Sequence, residues 1–479
     1  MAMKKGIYSF LFLIFAILFV GNSCQSSNSA DRKEPESEEI TDLKKILKDG
    51  KLRVLMENST TSYFIYRGKK MGFEYEILRE FADELGVVLE VKVVDNLDDM
   101  IPMIKKGEGD LIACNFTFTK SRKTDIEFSE PYLRTPQVLI QRYPEDWSKM
   151  KDKELAKHLV LSPEQLTQKK VHIWKNSSYY NRLINLQEET GDTIFLEEVD
   201  GNIGTEELIE MTSEGMIDYT VAEQNIALAN QKFYPNLHIS TLLSVQQKIC
   251  FGLRKNNPIL KARLDKFISI FSKKVSYKYL KKKYFEMSAI SSSSKFKPGN
   301  IKRGEISPYD AIFKQVAQKY GFDWRILASV SYHESRFNPN ARGFGGAYGM
   351  MQFMPSTGPK YGVYPSSPPS VQIEGGMKKI AKDFQSWSHI PDEEQRFKFT
   401  LATYNAGKGH VQDAQRLAEK YGLNTEIWDE NVEKMMLNLS KQSYYRDPVV
   451  KNGAHHGGVT YRYVKDIYGR YLEWKEAVH

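Results

Sequence analysis

The hydrophobic pattern of this 479-residue chain changes period once, and the change falls at a single polar segment. Up to about residue 287, short apolar runs alternate with amphipathic stretches; beyond about residue 304, only helical spacing remains. Between them lies SAISSSSKFKPGNIKRG, rich in Ser, Lys, Gly and Pro and without periodicity, which reads as a linker over 288–304. Such a chain folds as separate bodies, an α/β unit (45–287) followed by a mainly α unit (305–479), because the two patterns bury their apolar faces in different layer architectures. No internal repeat at solenoid periods is present, which excludes stacked-repeat architectures.

In the first unit LRVLM (52–56) reads as a buried strand, and Phe73, Ile77, Phe81 and Leu85 follow as the inner stripe of a helix. VLEVKVV (88–94) reads as a strand, Met100, Met103 and Ile104 as a helix to Gly107, and LIACNF (111–116) as a third strand. VHIW (171–174), a helix through Leu183, MIDYTVA (216–222) and ICFGL (249–253) repeat the alternation. Cys114 and Cys250 fall in apolar strands and read as buried thiols rather than a bridge.

Several ordered motifs of this unit, GFEYEILREFADELG (72–86), GDLIACNFTFTKSR (109–122), FSEPY (128–132), KNSSYY (175–180) and EGMIDYTVAEQ (214–224), resemble the bilobal periplasmic solute-binding proteins of the amino-acid type. The resemblance implies a clamshell of two α/β lobes. It also implies that Thr117, Thr119 and Arg122 hold a ligand carboxylate, opposite Ser177, Ser178 and Glu223, where the family usually has Asp for the ligand amino group. An arginine fork suits a carboxylate through paired charge-assisted bonds. The residues alone allow other readings. Arg122 suits a surface ion pair with Asp125 or Glu127, and Ser177 and Ser178 suit a helix cap. Asn176 replaces the family's usual Gly, so the cleft need not fit a free amino acid.

In the second unit Ser307 and Pro308 read as N-cap and first residue of a helix with Ile312, Val316 and Tyr320 on its inner stripe and Gly321 at its end. Asp323 caps the next helix, on which Leu327, Val330 and Glu334 fall at i, i+3 and i+7. Glu334 therefore extends an apolar face, and desolvation there disfavours its ionised form, as a general acid requires. A surface ion pair with Arg325 or Arg336 is the other reading of the local pattern.

Glu334 and Ser335, the segment GAYGMMQFMP (346–355), ATYNAG (402–407) and YRYVKDIYGRY (461–471) resemble, in this order, the lytic transglycosylase domain of the goose-type lysozyme superfamily. That resemblance implies a lysozyme-like fold. It further implies cleavage of the N-acetylmuramic acid to N-acetylglucosamine β-1,4 bond of peptidoglycan with a 1,6-anhydro product, Glu334 serving as acid and then base. Ser335, Gly349, Gln352, Met354, Tyr404, Asn405 and Tyr463 become candidate glycan contacts. Phe397, Leu401, Tyr404 and Asn405 share a helical face that stops at Gly407, ending an apolar stripe in an aromatic and an amide, a pairing suited to aminosugars. Gly346 and Gly349 equally suit plain turns, and Met350, Met351 and Met354 plain packing. Gly343 stands where the family often has serine, and Val459–Thr460 where it usually has Glu-Thr. No Asp or Glu lies between Ser335 and Ile373. Most glycosidases need a second carboxyl within about 5 to 9.5 Å, which a residue distant in the chain is free to supply, and a single-acid reaction using the substrate's own acetamido group is what the resemblance implies. A hydrolytic muramidase and a non-catalytic wall-binding receptor are the competing functions.

Lys4 and Lys5 precede an apolar stretch from Ile7 to Val20, then Gly21, Ser23 and Cys24, which reads as a signal peptide (1–23). Its end resembles a bacterial lipobox with Gly21 in place of the usual Leu, which implies a lipid on Cys24, a polar tether over 24–44, and the periplasmic face of the envelope. Gln25 after the cysteine suggests the outer membrane by analogy with lipoprotein sorting. The charge of +8 is dispersed, which argues against nucleic acid, and no Cys/His spacing suits a metal, so no cofactor is expected.

Overall fold

The computed structural model describes residues 38–478 apart from 67–68, 232, 256 and 287–303, so Cys24, the signal peptide and the linker, save Gly304, lie outside the described residues. Among the described residues the first element is the helix Glu38–Asp49, which takes residues the sequence assigned to the tether. The Asp42 carboxylate pins it to the first lobe, accepting from Arg254 Nε at 3.1 Å and Asn257 Nδ2 at 3.0 Å.

The first lobe is a five-stranded sheet in the order β4-β1-β5-β14-β6. Its strands are β1 (Lys51–Met56), β4 (Val88–Val93), β5 (Leu111–Ala113), β6 (Glu127–Phe128) and β14 (Gly252–Leu253), and a hairpin of β2 (Phe64–Tyr66) and β3 (Lys69–Met71) stands beside it. β1 runs parallel to β4 and β5, joined by helical crossovers, and β14 returns antiparallel from the far end of the unit. β1, paired on both edges, is buried from Val54 to Met56, as a parallel strand covered on both faces must be. Apolar β4 is an edge strand whose Val88 is exposed, so its hydrophobicity supports pairing more than burial.

The second lobe repeats the plan with β8 (Gln137–Arg142), β9 (Lys170–Trp174), β10 (Phe195–Val199), β11 (Tyr219–Glu223) and β12 (Leu237–His238) in the order β10-β9-β11-β8-β12. The lobes are connected by an antiparallel ribbon of β7 (Leu133–Thr135) and β13 (Gln247–Ile249), where the chain crosses out and back. Cys114 and Cys250 are free thiols, the first half-buried and the second buried.

The C-terminal domain is a set of helices around one core in which Trp387, Trp428, Phe313, Phe337, Phe353 and Phe399 are wholly buried. Its first helix is Asp310–Tyr320, not a helix from Ser307. Ser307 Oγ donates to Asp310 Oδ1 at 2.7 Å, and the same carboxylate accepts from the Ile306 and Ser307 amides, so a side-chain-closed turn precedes the helix. Its buried face is centred on Phe313 and Ala317, with Ile312, Val316 and Tyr320 along the edge. Asp323 caps the helix Trp324–Ser335, accepting from the Arg325 amide. That helix packs on the C-terminal helix Gly457–Ala477, and Glu393–Ala406 packs on the same partner. Among the described residues no helix is long and apolar enough to cross a membrane.

Candidate functional site

Glu334 lies in the last turn of its helix, 9% exposed, with Leu327 and Val330 buried behind it. The chain leaves that helix through two consecutive left-handed residues, Arg336 (φ 55°) and Phe337 (φ 61°), a conformation that non-glycine residues adopt only when the surroundings hold it. Phe337 is fully buried, which supplies that hold. Arg325 pairs with Asp323 and the Arg336 guanidinium lies 4.1 Å above the Tyr332 ring, so these arginines are engaged away from the glutamate. Tyr463, from the C-terminal helix, donates to Glu334 Oε1 at 2.8 Å. The edge of its ring meets His333 at 4.9 Å, an imidazole that burial holds neutral, at about 3, with Arg470 and Arg336 adding to the effect.

Several of the other candidates act on the backbone of the loop-rich stretch that follows this acid. Ser335 is buried and its hydroxyl donates to Met350 O at 2.8 Å, so it ties the Gly-rich segment to the glutamate helix rather than presenting a free hydroxyl to sugar. Gly349 (φ 77°) is also buried, and a side chain there would run into Gln372, whose Oε1 accepts from the Met350 amide at 2.7 Å. Its role is the turn. Tyr404 donates to Met351 O at 2.8 Å and carries the Lys379 ammonium 4.2 Å from its ring. Gln352 (φ 46°) donates to Gly349 O, and its Oε1 fills the space that a side chain at Gly343 would need, so glycine at 343 and the strained glutamine are one arrangement. Gln352, Met354, Thr403, Tyr404 and Gly407 line a cavity of about 140 Å³. Met354 also belongs to the apolar cluster of the first lobe, together with Phe344.

Phe344, Ala347 and Met354 join that cluster from the C-terminal domain and so form a seam between the two units. Phe344 stacks on Phe64 (5.9 Å) and meets Phe233 and Tyr284 edge-on, both at 5.8 Å. Tyr445 donates to Asp95 Oδ1 at 2.9 Å, beside an ion pair of Arg446 with the same carboxylate. A cavity of about 90 Å³ opens along the seam, lined by Asn405, Val459 and His456 on one side and by Phe64, Phe233 and Glu206 on the other. Asn405 Oδ1 accepts from Thr460 at 2.7 Å.

In the clamshell, Thr119, Arg122, Ser177 and Ser178 line one cavity of about 450 Å³ with Phe116 and Trp174. Thr119 caps the short helix that carries Arg122, accepting from its amide at 3.2 Å. Arg122 does not pair with Asp125, which binds Lys105; its guanidinium lies 4.1 Å from the centre of the Phe116 ring and donates to Thr117 O (3.1 Å) and, across the cleft, to Asn176 O (2.9 Å). Ser177 is the N-cap of the helix Ser178–Thr190, as its alternative reading had it, and Ser178 accepts from Gln137 at 3.0 Å. Glu223 ends β11 and accepts from Thr117 at 2.6 Å and from Tyr179. Burial pushes its carboxyl up to about 7, against hydrogen bonding from Thr117 and the charge of Arg122.

Two acidic residues that the sequence did not single out complete the cleft. Asp98 of the first lobe accepts from Trp174 Nε1 (3.0 Å), Asn176 Nδ2 (2.8 Å) and the Gly201 amide (3.1 Å) of the second. Glu206 of the second lobe accepts from the Thr60 amide at 3.0 Å. Asp98 stands in a short polar turn and Glu206 in the first turn of the helix Thr205–Glu214, where an acid reads as an ordinary partner of the helix end. Among the described residues no cluster of His, Cys, Asp and Glu could hold a metal ion.

Two hinged α/β lobes around an arginine-bearing cleft, joined to a helical domain with one buried glutamate bonded to a tyrosine, define a fusion of a solute-binding module with a lysozyme-like domain. Residues 52–287 match bacterial extracellular solute-binding proteins, family 3, and residues 311–427 match the transglycosylase SLT domain. The membrane-bound lytic murein transglycosylase F of Desulfosudis oleivorans is 32% identical over 91% of this chain and 92% of its own length. The Pseudomonas putida W619 protein of that name is 31% identical over 91% and 88%. The chain belongs to the membrane-bound lytic murein transglycosylase F family. Among solved structures, an ancestral amino acid-binding protein, a precursor of cyclohexadienyl dehydratase, is 21% identical over 51% of this chain and 99% of its own, with a TM-score of 0.43.

Proposed function

We propose that this chain is a lytic transglycosylase of peptidoglycan in which Glu334 alone supplies both acid and base. The observation that carries the reading is the buried Glu334 on an apolar helix face, oriented by the 2.8 Å bond from Tyr463. In the first step Glu334 protonates the oxygen leaving from C1 of N-acetylmuramic acid, and the substrate's acetamido group stabilises the developing charge. In the second, the resulting carboxylate takes the proton of the C6 hydroxyl as that oxygen bonds to C1. No water is added, and the glutamate returns to its starting form. Gln352 and Tyr404 line one cavity and Asn405 another, and their amide and aromatic groups suit an aminosugar strand.

The clamshell is assigned a small carboxylate-bearing solute, an amino acid or wall peptide, held at Arg122. The enzyme is tethered at the periplasmic face of the outer membrane through lipid on Cys24, in keeping with the membrane-bound relatives. Mass analysis of digested murein tests the chemistry: the products should be lighter by one water than lysozyme products and resist borohydride. Reducible muramic acid ends would establish a hydrolase instead. A Cys24→Ala variant should lose lipid labelling and normal sorting; retained acylation would end the anchoring assignment.

A further inference from the structure

One stretch of the clamshell carries charge of a single sign that neither the solute cleft nor the catalytic acid uses. From Lys266 to Phe285 the chain holds seven lysines and no acid. Two helices present them. Pro258–Phe271 turns Leu260, Leu264, Phe267 and Phe271 into the core and leaves Ile259, Lys266 and Ile270 exposed at helical spacing. The chain bends at residues 272–274, where Lys273 and Lys274 are exposed, and the helix Val275–Lys281 then buries Tyr277 and Leu280. Its other face exposes Val275, Lys278 and Tyr279, and Lys282 continues that face at i+7.

The nearby acids do not neutralise this face. Glu76 pairs with Lys283, Glu84 with Arg263 and Asp265 with Lys261, whereas among the described residues no ion pair engages Lys266, Lys273, Lys274, Lys278 or Lys282. Between the lysines stand apolar and aromatic side chains open to water: Val275 is 81% exposed, Tyr279 53% and Ile270 48%. This mixture suits an anionic lipid surface, where ammonium groups meet phosphates while short apolar side chains and a tyrosine enter the headgroup boundary. A wall polymer offers carboxylates but no apolar layer.

The order of the chain brings this face toward a bilayer. Helix Glu38–Asp49 packs on Pro258–Phe271, with Asp42 bonded to Asn257 at its start. Only residues 25–37 separate that first helix from Cys24, and a chain of that length reaches at most about 45 Å when fully extended. A lipid on Cys24 therefore keeps this helix pair close to the membrane.

We propose that the exposed face of Pro258–Phe271 and Val275–Lys281 is a second membrane contact, which binds anionic phospholipid headgroups through Lys273, Lys274 and Lys278 and seats Val275 in the headgroup layer. The proposal rests on the Cys24 anchor for its placement only. A lipid by itself leaves the body free to rotate, and this contact fixes which side of the clamshell faces the bilayer.

Sedimentation with vesicles tests this on residues 25–479, which include every described residue and lack the lipidated cysteine. The chain should bind vesicles of equal parts phosphatidylglycerol and phosphatidylcholine, leave them at high salt, and ignore phosphatidylcholine alone. Lys273→Gln, Lys274→Gln and Lys278→Gln together should weaken binding about 100-fold, at about fivefold for each lysine. Val275→Ser should weaken it about tenfold without altering the salt dependence. All four side chains are exposed, so the melting temperature should stay at the wild-type value. Equal binding of wild type to both vesicle types, binding to neither, or a triple variant that binds as wild type does would overturn the proposal. Loss of sedimentation with purified murein in the triple variant, with vesicle binding unchanged, would assign the lysines to the wall polymer and overturn it as well. Failure of the anchor reading would show separately, as an unlabelled Cys24 in the full chain.

Discussion

At the scale of single residues, the chemistry concentrates on one carboxyl group. The Glu334→Gln variant keeps the size and the acceptor for Tyr463 but has no proton to give, so turnover should fall about 100- to 10,000-fold while helical content and glycan binding persist. Unimpaired cleavage by the folded variant would remove Glu334 from the mechanism. In the clamshell Arg122 already donates to two backbone carbonyls and lies against Phe116, so it is positioned before any ligand carboxylate arrives. Its replacement by alanine should cost a carboxylate ligand about 1.5 to 3 kcal/mol in calorimetry across a solute library, and equal affinity in the variant would exclude it from the site. The local sequence left Arg122, Ser177 and Glu334 each with a bland alternative. In the fold Arg122 turns inward, Ser177 is a cap as well as a cavity wall, and Glu334 is buried.

At the scale of elements, the site is held by the irregular stretch that follows the glutamate helix. Ser335, Gln372 and Tyr404 each bond a carbonyl or amide of the Met350–Met351 segment, so three helices hold one loop. Gly349 allows this by taking φ 77° where Gln372 leaves no room for a methyl. Gly349→Ala should therefore destabilise the domain by about 1 to 3 kcal/mol, read as a lowered melting temperature with activity falling in parallel. A variant as stable as wild type would show that the loop has another low-energy form. The helix positions were legible because their apolar periods and terminal glycines act locally. The start at Asp310 was not, because exchange of hydrogen bonds between Ser307 and Asp310 competes with the helix.

For the whole molecule, two buried acids of the clamshell link its stability to pH: Glu223, bonded across the cleft to Thr117, and Glu74, bonded within the first lobe to Tyr132 and the Asn115 amide. Burial raises the Glu223 and Glu74 carboxyls to about 7 from an ordinary 4.5. Between those values the folded protein holds protons that the unfolded chain has released, so stability is greatest below the ordinary value and declines as pH rises toward 7. Thermal melts from pH 4.5 to 8 should show this decline, and Glu223→Gln should reduce its slope; an unchanged slope would mean that Glu223 is not protonated in the fold. Glu206 of the second lobe and Asn405 and Val459 of the C-terminal domain border the same seam cavity, so a hinge movement of that lobe alters the wall of that cavity. Turnover of the full chain should differ with and without a saturating clamshell ligand, to the extent that the ligand distinguishes the two lobe positions. Identical turnover would reduce the module to targeting.

The two-unit plan and the α/β and helical classes follow from short-range periodicity in the sequence, whereas Glu334, its tyrosine and amide neighbours and the six clamshell candidates rest on motifs that resemble known families. The tertiary structure decided which groups remain available. It turned Ser335 and Gly349 into supports, placed Met354 in the seam, and brought Asp98 and Glu206 across the cleft. Those outcomes depend on pairs far apart in the chain, and whether a side chain is an orphan or already bonded is a property of its partner's position, which no local pattern encodes.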